Sequence, residues 1–204
     1  MKLHPSLKVA LSLAVALWSA PSTALAQATT TYSGQATALK ANALGISITL
    51  ADTGELPASG GSITRNLASV NVAGLVRASA LHSETSGSGN SSQSNTHLAS
   101  VGILNLVNAT GINTSTTAAC NGSTASTSGN AEFVSLTVAG QQIVTSNPNT
   151  VISLPGGIAV IINEQTSSGD GGSTAQTTVN ALHVTAPGVD VVVGSSHSDI
   201  TCPQ

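Results

Sequence analysis

The stretch Thr174–Cys202, TAQTTVNALHVTAPGVDVVVGSSHSDITC, decides the fold class of this 204-residue chain. It holds two strand-like runs, Thr174–Thr185 and Val189–Ile200, on either side of Ala186-Pro187-Gly188. Runs rich in Val, Thr and Ile that flank a short Pro-Gly connection are typical of a β-hairpin. A four-residue loop over Ala186–Val189 then fixes the register. The predicted facing pairs are Thr185 with Asp190, His183 with Val192, and Thr178 with His197.

The segment before this hairpin extends the same pattern. Gly157–Thr166 (GIAVIINEQT) reads as another strand, and the Gly-rich turn Ser167–Gly172 joins it to the hairpin. Three strands joined by tight turns predict an antiparallel meander at the C-terminal end. We therefore expect an antiparallel β-sandwich, with a β-solenoid as the alternative.

Further strand signals lie upstream. Leu44–Leu50 (LGISITL) and Phe133–Val138 (FVSLTV) alternate apolar and small polar residues, which is the period of a half-buried strand. In the second run the alternation places Val134, Leu136 and Val138 on one face. Beyond residue 26 the sequence shows no sustained helical period, so the predicted fold class is all-β.

A weak internal repeat accompanies these strands. The stretches 67–85 and 98–116 both begin Leu-Ala-Ser-Val, and 133–140 (FVSLTVAG) echoes the first of them. The spacings of 31 and 35 residues fit either solenoid coils or successive strand pairs of an antiparallel sheet. One register predicts the inward-facing residues to be Ala68, Val70 and Val72 in the first copy, and Ala99, Val101 and Ile103 in the second.

Two polar, low-complexity stretches separate apolar runs. Residues 85–96 (TSGSGNSSQSNT) and 121–130 (NGSTASTSGN) are rich in Ser, Thr, Gly and Asn, and we expect them to be loops between strands. The apolar strands on both sides need each other to form a core. Residues 27–204 therefore read as a single all-β domain.

Residues 1–26 have the features of a cleaved signal helix. Lys2 and Lys8 precede the apolar run Val9–Trp18, and Ala24-Leu25-Ala26 is a small-x-small cleavage site. The apolar run is too short to span ~30 Å of hydrocarbon, which takes about 20 residues. We expect a secreted, extracellular protein, with the periplasm or the cell surface as alternatives, and no membrane span in the exported chain.

The charge of the exported chain limits its partners. After residue 26, Lys40, Arg65 and Arg77 stand against eight acids, a net charge of −5 with neutral histidines. Such a chain lacks the basic footprint that nucleic acids or anionic lipids require. Tyr32 and Phe133 are the only aromatic residues left, so stacking of sugar rings is disfavoured.

Cys120 and Cys202 are the only cysteines. An even number of cysteines in an exported protein predicts a disulfide. Closing a loop of this length stabilises a fold by about 4 kcal/mol in the chain-entropy treatment.

The residues of possible chemical interest do not form a recognisable active site. Gly194–Asp199 offers a serine, a histidine and an aspartate, but side chains two apart on a strand lie about 7 Å from each other, too far for a relay. A G-x-S-x-G motif is absent from the sequence. We expect the histidines here to be framework and the protein to have no catalytic residues.

Metal and cofactor motifs are equally weak. His82, His97, His183 and His197 lack the spacing of zinc motifs, and no C-x-x-C occurs. Asp170 lies in a Gly-rich run that provides too few oxygens for calcium, so we interpret it as a turn. The sequence predicts neither a metal site nor a cofactor.

Four segments carry a family resemblance. They are Tyr32–Ala38 (YSGQATA), Val134–Gly140 (VSLTVAG) downstream of Cys120, Val179–Val184 (VNALHV), and Gly194–Cys202 (GSSHSDITC). Together they resemble the choice-of-anchor P family over essentially the whole exported chain. That resemblance implies a bacterial exported protein with no established activity, in a family whose members carry differing C-terminal sorting signals. The chain departs from anchored members by ending just after Cys202, which favours release or retention through partners.

The function expected from the sequence is that of a secreted bacterial structural or interaction protein of the cell envelope or extracellular matrix, without catalytic activity. The alternative is an adhesive or ligand-binding module that recognises a surface glycan or protein through the polar loops 85–96 and 121–130. A hydrolase with a dispersed site is the third hypothesis. The expected partner of this protein is an unknown envelope or matrix component, or another copy of the chain joined through unprotected sheet edges.

Overall fold

Two antiparallel β-sheets pack face to face in the computed structural model, which describes residues 29–43, 45–72, 74–145 and 147–204. The predicted signal helix, 1–26, lies outside these residues. The predicted all-β sandwich is confirmed, and the solenoid alternative is wrong. The strands are β1 (Thr31–Ala43), β2 (Ile46–Asp52), β3 (Gly61–Val72), β4 (Val76–Ser88), β5 (Ser91–Ile103), β6 (Val107–Asn121), β7 (Thr124–Glu132), β8 (Ser135–Val138), β9 (Gln141–Gln142), β10 (Thr150–Leu154), β11 (Ile158–Gly169), β12 (Thr174–Ala186) and β13 (Val189–Thr201).

The strand order confirms the C-terminal meander. The first sheet runs β10-β11-β12-β13-β1-β2, so its first four strands are neighbours in chain order. The second sheet runs β3-β4-β5-β6-β8-β9, and β7 also pairs with β6. The register of β12 with β13 is the predicted one: Thr185 faces Asp190, His183 faces Val192, and Thr178 faces His197.

The two polar stretches are strands, so the prediction of loops there is wrong. Residues 85–96 contain the end of β4 and the start of β5, joined by a turn at Gly89-Asn90. Residues 121–130 contain the end of β6 and most of β7, joined at Gly122-Ser123. In 85–96 the inward-facing Thr85, Ser94 and Thr96 form hydrogen bonds with other buried hydroxyl groups, whereas in 121–130 the polar side chains of β7 are mainly on its outward side.

In both sheets the alternation of inward and outward side chains shifts by one residue at the same level of neighbouring strands. We call this level the phase line. In the second sheet the pairing steps from Leu67–Leu81 to Ser69–Ser79, leaving Ala68 and Ala80 between the two pairs. Every second strand has a left-handed residue at this level, such as Ala80 with φ 48°. The residues at the phase line are Ala68, Ala80, Ala99 and Gly111 in the second sheet, and Asn163, Ala181, Gly194, Ala38 and Ala51 in the first.

The phase line explains an error in the predicted inward face. Ala68 and Ala99 are exposed, because in the second sheet two consecutive residues point outward where the pleat changes phase. Val134 lies at the same level, since its N–H donates to the carbonyl of Thr110, and its side chain is 82% exposed rather than inward. The inward placement is confirmed for Val101, Ile103, Leu136 and Val138, which are buried.

Large aliphatic side chains form facing rows beside the phase line. In the second sheet Leu81, Leu98 and Ile112 are paired neighbours with at most 1% exposure. The first sheet contributes a matching row, which consists of Leu39, Val193, Leu182 and Ile162. Each fully buried side chain of this kind contributes about 1.5–3 kcal/mol, so these rows are the main hydrophobic contribution.

On the other side of the phase line the interior is built from hydroxyl groups. Thr114 Oγ1 lies 2.6 Å from Thr96 Oγ1 in the same sheet and 2.6 Å from Ser196 Oγ in the opposite sheet. Thr116 Oγ1 and Ser198 Oγ, 2.8 Å apart, make a second link between the sheets. We call Thr85, Ser94, Thr96, Thr114, Thr116, Ser196 and Ser198 the hydroxyl core; all are nearly inaccessible to solvent.

The hydroxyl core brings the two sheets close together. Ser94 Oγ donates to the main-chain carbonyl oxygen of His197 in the opposite sheet, at 2.6 Å. Stacked sheets usually lie about 10 Å apart, whereas here one short side chain spans the gap. Gly34 and Gly194 lie at this contact, where a Cβ at Gly34 would come within 2.7 Å of Thr85 Oγ1.

The predicted disulfide closes the far end of the sandwich. Cys120, at the end of β6, is bonded to Cys202, which follows β13, with a Cα–Cα distance of 5.6 Å. Tyr32, Leu56 and Ile200 pack around it in a small second cluster. The bond therefore joins the two sheets directly.

Gly34→Ala should destabilise the protein by about 1–3 kcal/mol, because the added methyl group collides with the hydroxyl core. The free energy of unfolding measured in urea checks this. Ser33→Ala, on the adjacent outward-facing position, is the control and should change stability by no more than about 0.5 kcal/mol. Equal stability of the two variants would contradict the close approach of the sheets.

The double variant Cys120→Ala/Cys202→Ala should lose about 4 kcal/mol of unfolding free energy. The reason is that the unfolded chain gains conformational entropy when the disulfide no longer closes its long loop. Urea unfolding of the variant, beside reduced and oxidised wild type, measures the loss. A reduced wild type as stable as the oxidised one would refute a stabilising role for the bond.

Candidate functional site

The outward side of the second sheet, between the phase line and the disulfide, is an ordered polar surface. Outward side chains of β3 to β7 stand there in lateral rows set by strand pairing. We call this surface the polar face. Its first row is Asn66, His82, His97, Asn113 and Glu132, and its second is Thr64, Glu84, Asn95, Ser115 and Asn130.

His82 and His97 are the chemically most distinctive pair on the polar face. They are directly opposite each other on β4 and β5. The Nδ1 atom of His82 lies 2.7 Å from Asn66 Oδ1, and the Nδ1 atom of His97 lies 2.6 Å from Asn113 Oδ1. Each histidine is thus held by an asparagine on the strand to its outer side.

The sequence positions of His82 and His97 indicate this pairing, but the prediction of a loop over 85–96 obscured it. His82 and His97 are equally distant from the turn at Gly89-Asn90, so a hairpin centred there brings them together. The predicted loop over 85–96 would not contain that hairpin, so it gave no reason to expect the two histidines to be neighbours.

A second cluster surrounds His183 on the outward side of the first sheet. Its Nδ1 lies 3.1 Å from Glu164 Oε2 and its Nε2 lies 3.0 Å from Asp190 Oδ2, which links β11, β12 and β13. Asn180 Nδ2 also donates to Glu164, at 2.7 Å. Burial opposes the charged imidazolium, but hydrogen bonds with Asp190 and Glu164 outweigh it and raise the pKa of His183.

The serine, histidine and aspartate near the C-terminus do not form a relay. His197 Nδ1 pairs with Thr178 Oγ1 on the neighbouring strand, at 2.9 Å. Ser196 and Ser198 point into the hydroxyl core instead. Burial raises the pKa of Asp199 above its ordinary value, and the nearby His197 offsets only part of that effect. The sequence-based interpretation of this segment as framework agrees with these contacts.

Asp170 stabilises the β11–β12 turn, in agreement with its predicted role. Its Oδ1 accepts from the N–H groups of Thr174 at 2.9 Å and Gly172 at 2.8 Å. These bonds, with a third from Ser173, lower the pKa of Asp170 to about 2. Its carboxylate is thus committed to the turn.

The fold and its surface define a disulfide-linked all-β sandwich with an ordered polar face. None of the segments that the structure describes forms a helix with the length and hydropathy of a membrane span. Comparison with protein-family models, curated proteins and solved structures finds no match to this chain.

The His183 cluster should make stability depend on pH. Because the folded-state pKa is raised above 6.5, the stabilisation is complete below that pH and is lost as pH rises through the folded pKa. His183→Gln should therefore lower the melting temperature more at pH 6 than at pH 9. Glu55→Gln, which removes an exposed carboxylate in the loop after β2, is the control for a change of charge away from the cluster. If His183→Gln lowered the melting temperature equally at pH 6 and pH 9, the result would contradict a stabilising charge on His183.

Proposed function

We propose that this chain is an exported bacterial structural or interaction protein of the cell envelope or extracellular matrix. The observation that carries the proposal is the Cys120–Cys202 disulfide, because such bonds persist in oxidising compartments outside the cytosol. The predicted signal peptide supports the same compartment. The interior packing is also consistent with a durable scaffold, since hydroxyl hydrogen bonds and the disulfide both tie one sheet to the other.

The polar face is the best candidate for the contact surface. The alternative function, an adhesive module acting through polar loops, has to be revised because those stretches are strands. Their outward side chains form part of the polar face, and His82 and His97 are already oriented there by hydrogen bonds. Ordered side chains lose less entropy on binding, which favours recognition by this surface.

The sheet edges are a weaker candidate for self-association. Arg65 in the edge strand β3 pairs with Ser83, which is fully buried, so Arg65 lies on the inward side of the edge. Asp52 in β2, an edge strand of the first sheet, lies on the outward side instead, where its carboxylate accepts from Gln35 and Thr37. An inward-pointing charge such as that of Arg65 opposes the addition of another strand to its edge.

Export can be tested on the protein recovered from culture medium and envelope fractions. Non-reducing mass spectrometry should find an N-terminus near Gln27 and a cross-linked peptide that contains Cys120 and Cys202. An intact N-terminus together with two free thiols in the cytosolic fraction would overturn the proposed function.

Contact through the polar face can be tested by adding bulk and charge to it. Asn95→Arg/Ser115→Arg should reduce retention in the envelope or matrix fraction about tenfold, the effect of losing ~1.4 kcal/mol of binding energy. Ser168→Arg/Gln176→Arg adds the same charge on neighbouring strands of the first sheet and should leave retention unchanged. Equal retention of the two double variants would contradict binding through the polar face.

A further inference from the structure

We propose that His82 and His97 on the polar face form a binding site for a divalent transition-metal ion, with Cu²⁺ as the preferred ion. The site lies where two imidazole rings face each other across neighbouring antiparallel strands. Imidazole nitrogen is a good ligand for Cu²⁺, Ni²⁺ and Zn²⁺, and Cu²⁺ binds most strongly in that series. This inference needs only the fold and is independent of the proposed location of the protein.

The asparagines determine which nitrogen carries the proton in the neutral imidazole rings. An amide Oδ1 has lone pairs and no hydrogen, so the Nδ1 atoms of His82 and His97 must donate the protons of their bonds to Asn66 and Asn113. In each neutral ring the lone pair is then on Nε2. Metal-binding histidines usually show this arrangement, in which a neighbouring oxygen accepts the other N–H and fixes the ring.

The same bonds place the Nδ1 atoms of the two rings on the outer sides of the histidine pair. Nδ1 and Nε2 lie on opposite sides of the axis of an imidazole ring. Because Nδ1 of His82 points to β3 and Nδ1 of His97 points to β6, both Nε2 atoms turn toward the space above β4 and β5. Directly opposed residues on antiparallel strands have Cβ atoms only about 4.5–5.5 Å apart, which suits a bridge through one ion.

A carboxylate lies beside this space, and the site is open to solvent. Glu84 Oε2 is 3.9 Å from His82 Nε2, and the side chains of Glu84 and His82 are 43% and 39% exposed. Among the described residues, no group of three or more His, Cys, Asp or Glu side chains is arranged to hold a metal ion. The proposed site would thus have two histidine ligands and positions open to solvent for water, and Glu84 would add negative charge beside it.

The other histidines of the sheets are less suited to this role. Both ring nitrogens of His183 lie against carboxylates, so neither presents a free lone pair. His197 pairs with Thr178, and its directly opposite residues on β1 and β12 are Gln35 and Thr178. These two residues are consequently good control positions.

Isothermal titration of the purified exported protein with Cu²⁺ tests the proposal. One ion should bind per chain, and His82→Gln or His97→Gln should each weaken binding at least about tenfold, as should Asn113→Ala through loss of ring orientation. His183→Gln and His197→Gln are the matched controls and should bind Cu²⁺ as the wild type does. Melting curves of each variant verify that it is folded.

Electron paramagnetic resonance of the Cu²⁺ complex gives a second measurement. The spectrum should show hyperfine coupling to two imidazole nitrogens in the wild type and to one in either single variant. Wild-type affinity in the His82→Gln/His97→Gln double variant, or a signal that disappears only with His183→Gln or His197→Gln, would overturn the assignment.

Discussion

The structure depends on hydrogen bonds between hydroxyl groups buried between its two sheets. A buried hydroxyl without a partner costs about 1–3 kcal/mol, so the hydroxyl core is stable because each of its members has a partner in its own sheet or in the opposite one. Thr114 with Ser196 and Thr116 with Ser198 link the two sheets. These links require a short distance between the sheets, which the glycines of β1 and β13 permit.

This constraint explains why different kinds of side chain fill the interior on the two sides of the phase line. Most large buried aliphatic side chains lie on one side of the phase line, whereas the hydroxyl core lies on the other, together with Val179 and Ile200. The phase line lets each strand present both kinds of interior, because Ala, Gly and Asn at that level accept the change of pleat. Beyond the hydroxyl core, the Cys120–Cys202 bond secures the end of the sandwich that has the least apolar packing.

The sequence predicted what depends on local signals and failed where partners are distant. The turn at Pro187-Gly188 fixed the β12–β13 register, which is confirmed. Residues 85–96 resemble a loop because hydroxyl side chains are usually solvated, whereas here Thr85, Ser94 and Thr96 have hydrogen-bond partners inside the sandwich. Without that hairpin the opposition of His82 and His97 was hidden. The exposure of Ala68 depends on a pleat change that simple alternation cannot foresee.

Two tightly joined sheets hold the outward side chains of the polar face in fixed rows, so the order of this surface depends on the packing of the interior. The most direct test is a double-mutant cycle on Thr116→Val and Ser198→Ala, read as unfolding free energies in urea. We expect a coupling energy of about 1 kcal/mol between the two positions, since each single change removes the shortest hydrogen bond of the remaining hydroxyl group and leaves it only a longer one to a main-chain carbonyl. Strictly additive losses would contradict it, because they would mean that these hydroxyl groups do not bond across the sheets.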